Sequence, residues 1–388
     1  MSQPCPVCAS TELESFLELS EMPAQDGVVY ETRKAALEAP RGDIRLAVCR
    51  RCHYIGNLAF DADKVRFVGY NYAQHHSEHY RKHVDELVTS LIDRYSLRNK
   101  TLIDIGCGEG FFLDRMCKVG DNRGVGIDPT LPPTDEIDED RLTLIRDHYS
   151  EKYAHHRGAL VSCRHVIDEL PAPREFLGSI VGALTPDADA ILYIELPDAT
   201  RTFEGKLIWN VGYAKRSWFT PDSLGALLRL CDLEVVRTET LFDGEYIGIA
   251  ARRVTDSVRR TPFPEKSVQE LIGLLDGFRR YFEAEIERWS RRVDRMRERN
   301  ETMVVWGAGM RGINFLSRFG DEAVFPRIVD INPNRQGSYL PGCGYFVDAP
   351  EVLSECPPDR VLLSNPTYER EIRSQLAEMG VVGEVECL

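Results

Sequence analysis

The sequence predicts an α/β protein in which a small cysteine-bearing module precedes two glycine-turn units. Three observations lead there. Strand-like and helix-like stretches alternate between residues 101 and 255. Two apolar strands run into glycine-rich turns, IDIGCGEG at Ile103–Gly110 and VVWGAGMRG ending at Gly312. Two Cys-x-x-Cys pairs, Cys5/Cys8 and Cys49/Cys52, lie ahead of both.

At 388 residues the chain suits two α/β domains and a smaller module. The boundaries expected are 1–60 for the module, 61–100 for a helical connector contributing to the active site, and 101–255 for the first α/β domain. A connecting helix over 256–300 and a second α/β unit over 301–388 follow. Apolar residues make up 43%, enough for a sizeable core. A net charge of −14 argues against nucleic acid as a partner, which would need a basic face. No run approaches the roughly 20 apolar residues that cross a bilayer. The opening MSQPCPVC lacks the basic and apolar regions of a signal peptide, so the expected location is the cytoplasm, with no membrane partner.

Each cysteine pair sits on a turn tight enough for two sulfurs to reach one ion, and four thiolates fill a tetrahedral zinc site with no open position. Cys5, Cys8, Cys49 and Cys52 are therefore expected to hold a structural Zn2+, with His53 a bystander. The other seven of the eleven cysteines are scattered, as free thiols in a reducing compartment would be. Residues 62–97 read as a helix with His83, Leu87, Leu91 and Ile92 on one face. The strands TLIDIG, RGVGID, ALVSCRHV, AILYIELP and LEVVRTE follow, with helices between them, which implies a mostly parallel sheet. A long amphipathic helix spans about 265–300.

In the first turn, Gly106, Cys107, Gly108 and Gly110 permit the bend and let a ligand approach the amides at a helix N-terminus. Asp128, at the end of the next strand, is placed to hold both ribose hydroxyls. Gly-x-Gly-x-Gly with Asp104 upstream is the pattern of S-adenosylmethionine-dependent methyltransferases, not the nicotinamide Gly-x-Gly-x-x-Gly. In that reading Asp147 meets the adenine amino group and His165, at the end of the fourth strand, borders the methyl donor. The second turn, Gly307-x-Gly309-x-x-Gly312 with Asp330 after the next strand, reads alone as a dinucleotide fingerprint. An NAD-dependent oxidoreductase is the alternative it supports, yet its unit is too short for a whole dinucleotide fold.

Taken in order, CxxC…CxxC, DIGCGEG, WGAG, VDINPNRQGSYLPG and LLSNP resemble the zinc-containing sugar C-methyltransferases, which act on nucleotide-linked deoxysugars and related natural-product intermediates. The resemblance implies a central class I (Rossmann-like) methyltransferase domain between the zinc-binding module and a C-terminal truncated Rossmann-like α/β domain that holds substrate. It implies Gly307, Gly309, Asp330, Asn332 and Asn365 at the substrate's nucleotide end, and a catalytic tyrosine in GYNYAQHHSEHY. Tyr72 matches best and Tyr70 next, with His75 as a candidate acid/base and His76 and His79 beside the substrate. Glu195 and Asp198, at the mouth of the sheet, could bond the acceptor.

One departure stands out. The family's His-Glu-His cluster before Ser-Tyr-Phe-Ser is replaced here by YAKRSWFT, with Tyr213, Ala214 and Lys215 where the cluster belongs. Tyr213 or Lys215 could substitute as base, Lys215 could instead anchor an anion, or the acceptor could be an oxygen, nitrogen or sulfur atom. The expectation is a methyltransferase of a natural-product or glycan pathway, monomer or homodimer, acting on a small anionic acceptor such as a nucleotide-linked sugar. A non-catalytic binding protein on the same fold is the third reading.

Overall fold

A computed structural model describes residues 3–67, 69–70, 72–131, 136–139, 141–254, 263–264 and 267–388. The N-terminal part is an antiparallel sheet of β1 (Leu13–Pro23), β2 (Arg41–Cys49) and β3 (Ile55–Asn57), with the short helix α1 (Arg33–Leu37) before β2. Its fourth strand, Ser217–Trp218, comes from far along the chain and pairs with β3 as Ser217 to Gly56 and Trp218 to Ile55. This module thus shares a sheet with the domain that follows it.

Residues 62–97 do not form one helix. A single turn at Ala62–Lys64 is followed by irregular chain, and α2 (Glu78–Arg94) begins only where Ser77 caps it by accepting from the Tyr80 N–H. The expected face is present from there: His83, Leu87, Leu91 and Ile92 are all buried. The irregular stretch between carries Tyr70, Tyr72 and His75.

The central sheet has eight strands: β4 (Thr101–Ile105), β5 (Arg123–Ile127), β6 (Glu136–Glu139), β7 (Leu142–Ile145), β8 (Leu160–Arg164), β9 (Ile191–Pro197), β11 (Leu233–Leu241) and β12 (Tyr246–Arg253), β10 being the Ser217–Trp218 strand. Their order is β11-β12-β9-β8-β4-β5-β7-β6, parallel from β7 to β9 and antiparallel at both edges. The helices α3 (Phe111–Gly120), α4 (Pro173–Val181), α5 (Ala199–Glu204) and α6 (Pro221–Arg229) connect them. Nearly every position of β4, β8 and β9 is buried, as in a sheet covered on both faces.

The 32-residue helix α7 (Val268–Arg299) leads to a five-stranded parallel sheet. It is ordered β15 (Val347–Asp348), β14 (Ile328–Val329), β13 (Val304–Trp306), β16 (Arg360–Leu363), β17 (Glu384–Cys387), with α8 (Met310–Phe319), α9 (Val352–Glu355) and α10 (Glu369–Glu378). Contacts that tie this unit to the N-terminal module include the Tyr30–Tyr339 bridge and Arg335, which donates to the Asp26 carbonyl at 2.9 Å. Among the described residues no helix is long and apolar enough to cross a membrane.

Candidate active site

The three parts enclose one cavity of about 800 Å3. Parallel strands release their C-terminal ends at one edge of the sheet, so the loops after β4, β5 and β8 form its floor. Gly106, Gly108 and Gly110 all hold positive φ, 75°, 54° and 83°. A Cβ on Gly106 would lie 2.1 Å from the Val166 Cγ2, so this turn tolerates no side chain. Gly108 donates its N–H to the Asp128 carboxylate at 2.7 Å, and the other Asp128 oxygen accepts from the Thr130 N–H at 2.7 Å. The Thr130 hydroxyl also donates to Asp128, at 2.5 Å, and since a carboxylate has about four acceptor positions, one is left for a ligand's hydroxyl. Asp104, beneath the turn, accepts from the Ser162 hydroxyl at 2.6 Å, and burial pushes its carboxyl up to about 6.

His165 follows β8 in the left-handed region at φ 56° and reaches the cavity. Its Nε2 lies 3.2 Å from Glu195, and its ring meets Tyr246 edge-on at 4.5 Å. Glu195 is not at the mouth of the sheet but fully buried beneath it, bonded by Arg164 at 2.7 Å, with His83 at 3.7 Å. Burial pushes its carboxyl up, but Arg164, His165 and His83 outweigh that and hold it well below the usual carboxylate range. It therefore supports the floor from outside the cavity lining.

The opposite wall comes from the C-terminal unit. Gly309, Met310 and Arg311 open α8 there, beside Ser364 and Asn365. Tyr72 crosses this helix end, its hydroxyl accepting from the Met310 N–H at 3.4 Å, with the Arg335 guanidinium 5.2 Å from its ring centroid. Tyr70 stacks on Tyr72 at 5.9 Å, and His75 stacks on Phe111 at 5.1 Å with its Nε2 3.6 Å from Glu109. Lys215 lines the cavity as an ion pair with Asp168, Nζ to Oδ2 3.0 Å.

Several expected site residues are not brought into the cavity. Asp147 is turned to the surface, where Lys152 and the Tyr153 hydroxyl pull its carboxyl down to about 2. His148, Tyr149, Leu131 and Leu144 line the stretch it was expected to serve. Tyr213 is buried against Phe60, and its hydroxyl is spent on the Asp61 backbone at 2.8 Å, so it cannot act on a substrate. His79 pairs with Asp243 at 2.9 Å and His76 packs on His75, both behind the lining. Asp198 caps α5 by accepting from the Thr200 N–H. Gly307 and Asp330 are internal to the second turn: Asp330 accepts from the Ala308 and Asn332 N–H groups at 2.6 and 2.8 Å. Asn332 points its amide at the Ala73 carbonyl, 3.4 Å away.

Other residues arrive from unexpected places. Asp26, from the loop after β1, Glu169, beside Asp168, and Trp218, from β10, all line the cavity. So do Asn210 and Glu245, which both bond Arg311. Only the IDELP run following β8 carried a signal in the sequence, two adjacent acids at a strand end. Asp26 and Trp218 sit in segments without motif.

Apart from the cavity, the four sulfurs of Cys5, Cys8, Cys49 and Cys52 all lie within 4.8 Å of one another, and all four residues are buried. Cys5 to Cys52 and Cys8 to Cys49 are each 3.6 Å. Four ligands about 2.3 Å from one tetrahedral ion stand roughly 3.8 Å apart, so the group fits zinc as it is.

Two family models match the chain. Residues 80–238 match a methyltransferase domain and residues 250–384 a C-methyltransferase C-terminal domain. The chain thus carries the domains of a methyltransferase, an enzyme, on a Rossmann-like α/β fold. No curated protein matches it. Solved structures align over less than half of the chain. The 1,6-didemethyltoxoflavin-N1-methyltransferase of Burkholderia thailandensis is 16% identical over 46% of this chain and 81% of its own, with a TM-score of 0.35. Magnesium protoporphyrin IX methyltransferase from Synechocystis is 13% identical over 47% and 88%, with a TM-score of 0.36. The pyocyanin biosynthetic protein PhzM is 16% identical over 43% and 54%, with a TM-score of 0.34.

Proposed function

We propose that the enzyme transfers the methyl group of S-adenosylmethionine to a small, anionic acceptor of the nucleotide-linked sugar kind, in a natural-product or glycan pathway. The observation that carries this reading is the continuity of the cavity from Gly106, Gly108 and Asp128 to Gly309, Arg311 and Asn365. The first group fits a nucleoside: amides at a helix start, a carboxylate with spare acceptor capacity, and apolar Leu131 and Leu144 beside it. Bound there, S-adenosylmethionine supplies an electrophilic methyl on a sulfonium. The second group fits an anion, since Arg311 keeps an Nη1 with no partner among the described residues. Alignment of acceptor and donor supplies much of the rate in such a displacement.

In this reading residues 1–60 form the zinc module, 101–255 hold the donor, and 301–388 hold the acceptor's anionic end. The chain between 61 and 100 closes the cavity with Tyr70, Tyr72 and His75. Zinc is structural, because all four sulfurs are buried and no position is left for substrate.

Calorimetric titration with S-adenosylhomocysteine and, separately, NADH tests the donor. Binding of the first alone is expected; binding of NADH alone overturns the proposal. A turnover screen against nucleotide-sugar ketones tests the acceptor. Elemental analysis of chelator-free protein should find about one zinc per chain, and a metal-free result removes that part.

A further inference from the structure

The proposed reaction needs a group to take the acceptor's proton, and the histidine expected from the family resemblance is missing. The candidates on the cavity wall can be sorted by what each already does. Lys215 already donates to Asp168 at 3.0 Å. Tyr72 and Tyr70 have phenols pushed up, by desolvation first and then by neighbouring carboxylates, so both are protonated at neutral pH. Tyr213 is buried elsewhere.

Glu169 differs from these. It follows β8 at the C-terminal edge of the sheet, lines the cavity, and accepts a hydrogen bond from the Tyr70 hydroxyl at 3.2 Å. Tyr70 is itself wedged against the chain beside Asp26, since a Cβ on Gly27 would lie 2.2 Å from its ring. Asp168, Asp26, Lys215 and Tyr70 are the charged and titratable groups that face Glu169. Desolvation, then Asp168 and Asp26, push its carboxyl well above the ordinary range, against the opposing pull of Lys215. A carboxylate whose proton affinity is raised is a stronger base than an exposed one once it is ionised.

A second set of observations points to a ligand at the same place. Asp168 and Trp218 are 3% and 4% exposed and line the cavity, yet Asp168 Oδ1 and Trp218 Nε1 have no partner among the described residues. An unpaired buried indole N–H costs about 1–3 kcal/mol unless something accepts from it. An oxygen carrying developing negative charge is the acceptor such a donor suits.

We infer that Glu169, positioned by Tyr70, is the proton-accepting catalytic residue and that the acceptor is an enolisable carbonyl compound whose oxygen is held by the Trp218 N–H. The inference rests on the methyl-transfer reading above and deepens it. Glu169 takes the proton from the carbon beside the carbonyl, and that C–H bond's electron pair delocalises onto the oxygen. The acceptor carbon then bonds the methyl carbon, whose bond to sulfur breaks with its pair staying on sulfur, leaving a neutral thioether. The proton leaves Glu169 for solvent, which restores the carboxylate.

Two readouts test this on the full chain. Infrared titration of the carboxyl band should show a group changing protonation above the ordinary carboxylate range that is absent from Glu169→Gln and moves to lower pH in Asp168→Asn. Deuterium wash-in from D2O is then followed by NMR on thymidine diphosphate-linked 4-keto-6-deoxyglucose, with adenosylhomocysteine present. Wild-type wash-in should fall about 100-fold or more in Glu169→Gln, with part returned by Glu169→Asp. Wash-in that survives Glu169→Gln, no wash-in by wild type, or no carboxyl band lost with Glu169 overturns the inference. Adenosylhomocysteine calorimetry on the same proteins separates the failures. If wild type does not bind it, the methyl-transfer reading falls; if both proteins bind alike and wash-in survives Glu169→Gln, only the role of Glu169 falls.

Discussion

The chain contains the same device twice, a strand feeding a glycine turn that opens a helix, and the two copies face one cavity in different states. In both, the aspartate after the next strand bonds an amide of the turn: Asp128 to Gly108 at 2.7 Å and Asp330 to Ala308 at 2.6 Å. The first turn has an open helix start, with Gly106 and Gly108 in the lining and nothing within 4 Å of a Cβ placed on Gly108. At the second, Tyr72 lies over the start of α8 and accepts from Met310, in the space where a pyrophosphate would meet that helix. Asp330 is committed to two backbone amides within its own loop and does not line the cavity. A fingerprint therefore reports a backbone shape. Whether the shape binds a nucleotide depends on which side chains from other parts of the chain reach it.

The contrast can be broken most directly by a methyl group. Gly106→Ala forces a left-handed alanine against Val166, and strain of about 1–3 kcal/mol is expected to weaken adenosylhomocysteine binding ten- to hundredfold. Gly309→Ala has extended backbone and meets only the Tyr72 hydroxyl at 3.3 Å, so the same titration should be nearly unchanged. Equal losses from both substitutions would erase the distinction.

Metal removal comes next. The cysteine cluster shares its apolar core with Ile103 and Ile105 of β4, whereas β13 packs in other clusters. A strong chelator should raise amide hydrogen exchange across β4 and the first turn while leaving β13 and the second turn protected. Uniform exchange throughout would show that the metal does not favour the first turn.

A smaller effect follows from Asp104. Its folded-state carboxyl titrates at about 6, above the unfolded value, so the folded state holds the proton more tightly. That contribution is complete below about pH 4 and is lost as pH rises through about 6, a difference on the order of 3 kcal/mol. Urea midpoints of wild type against Asp104→Asn should diverge between pH 4 and 7, the variant losing less. Parallel curves would remove the assignment. Tyr72→Phe is the mildest test: it frees the Met310 amide at a cost within about 1 kcal/mol, and NADH should still fail to bind. NADH binding gained by this variant would show that the phenol alone closes the second turn.

Legibility in the sequence followed the range over which each signal acts. The four clustered cysteines, the positions of both turns and the strands β4, β5, β8, β9 and β11 rest on local spacing and periodicity, and the structure contains them. The antiparallel strand β12 at Tyr246–Arg253 went unread because YIGIAARR has no helix between it and its partner to mark alternation. Asp147 looked like a ligand by its distance past a strand, but Lys152 and Tyr153 in its own loop compete for it. Tyr213 looked reactive by its place in a motif, yet its hydroxyl is turned to Asp61, about 150 residues upstream.

By itself the sequence determined the chemistry of the parts. Cysteine spacing sets two pairs of sulfurs, and glycine turns after apolar strands set helix starts, because both depend only on neighbours along the chain. Tertiary structure alone decided which parts meet. Asp26, Glu169, Trp218 and Arg311 share one cavity because three sheets close around it. Cavity lining is a property of distance in space, and residues 26, 169, 218 and 311 have no periodicity by which to announce it.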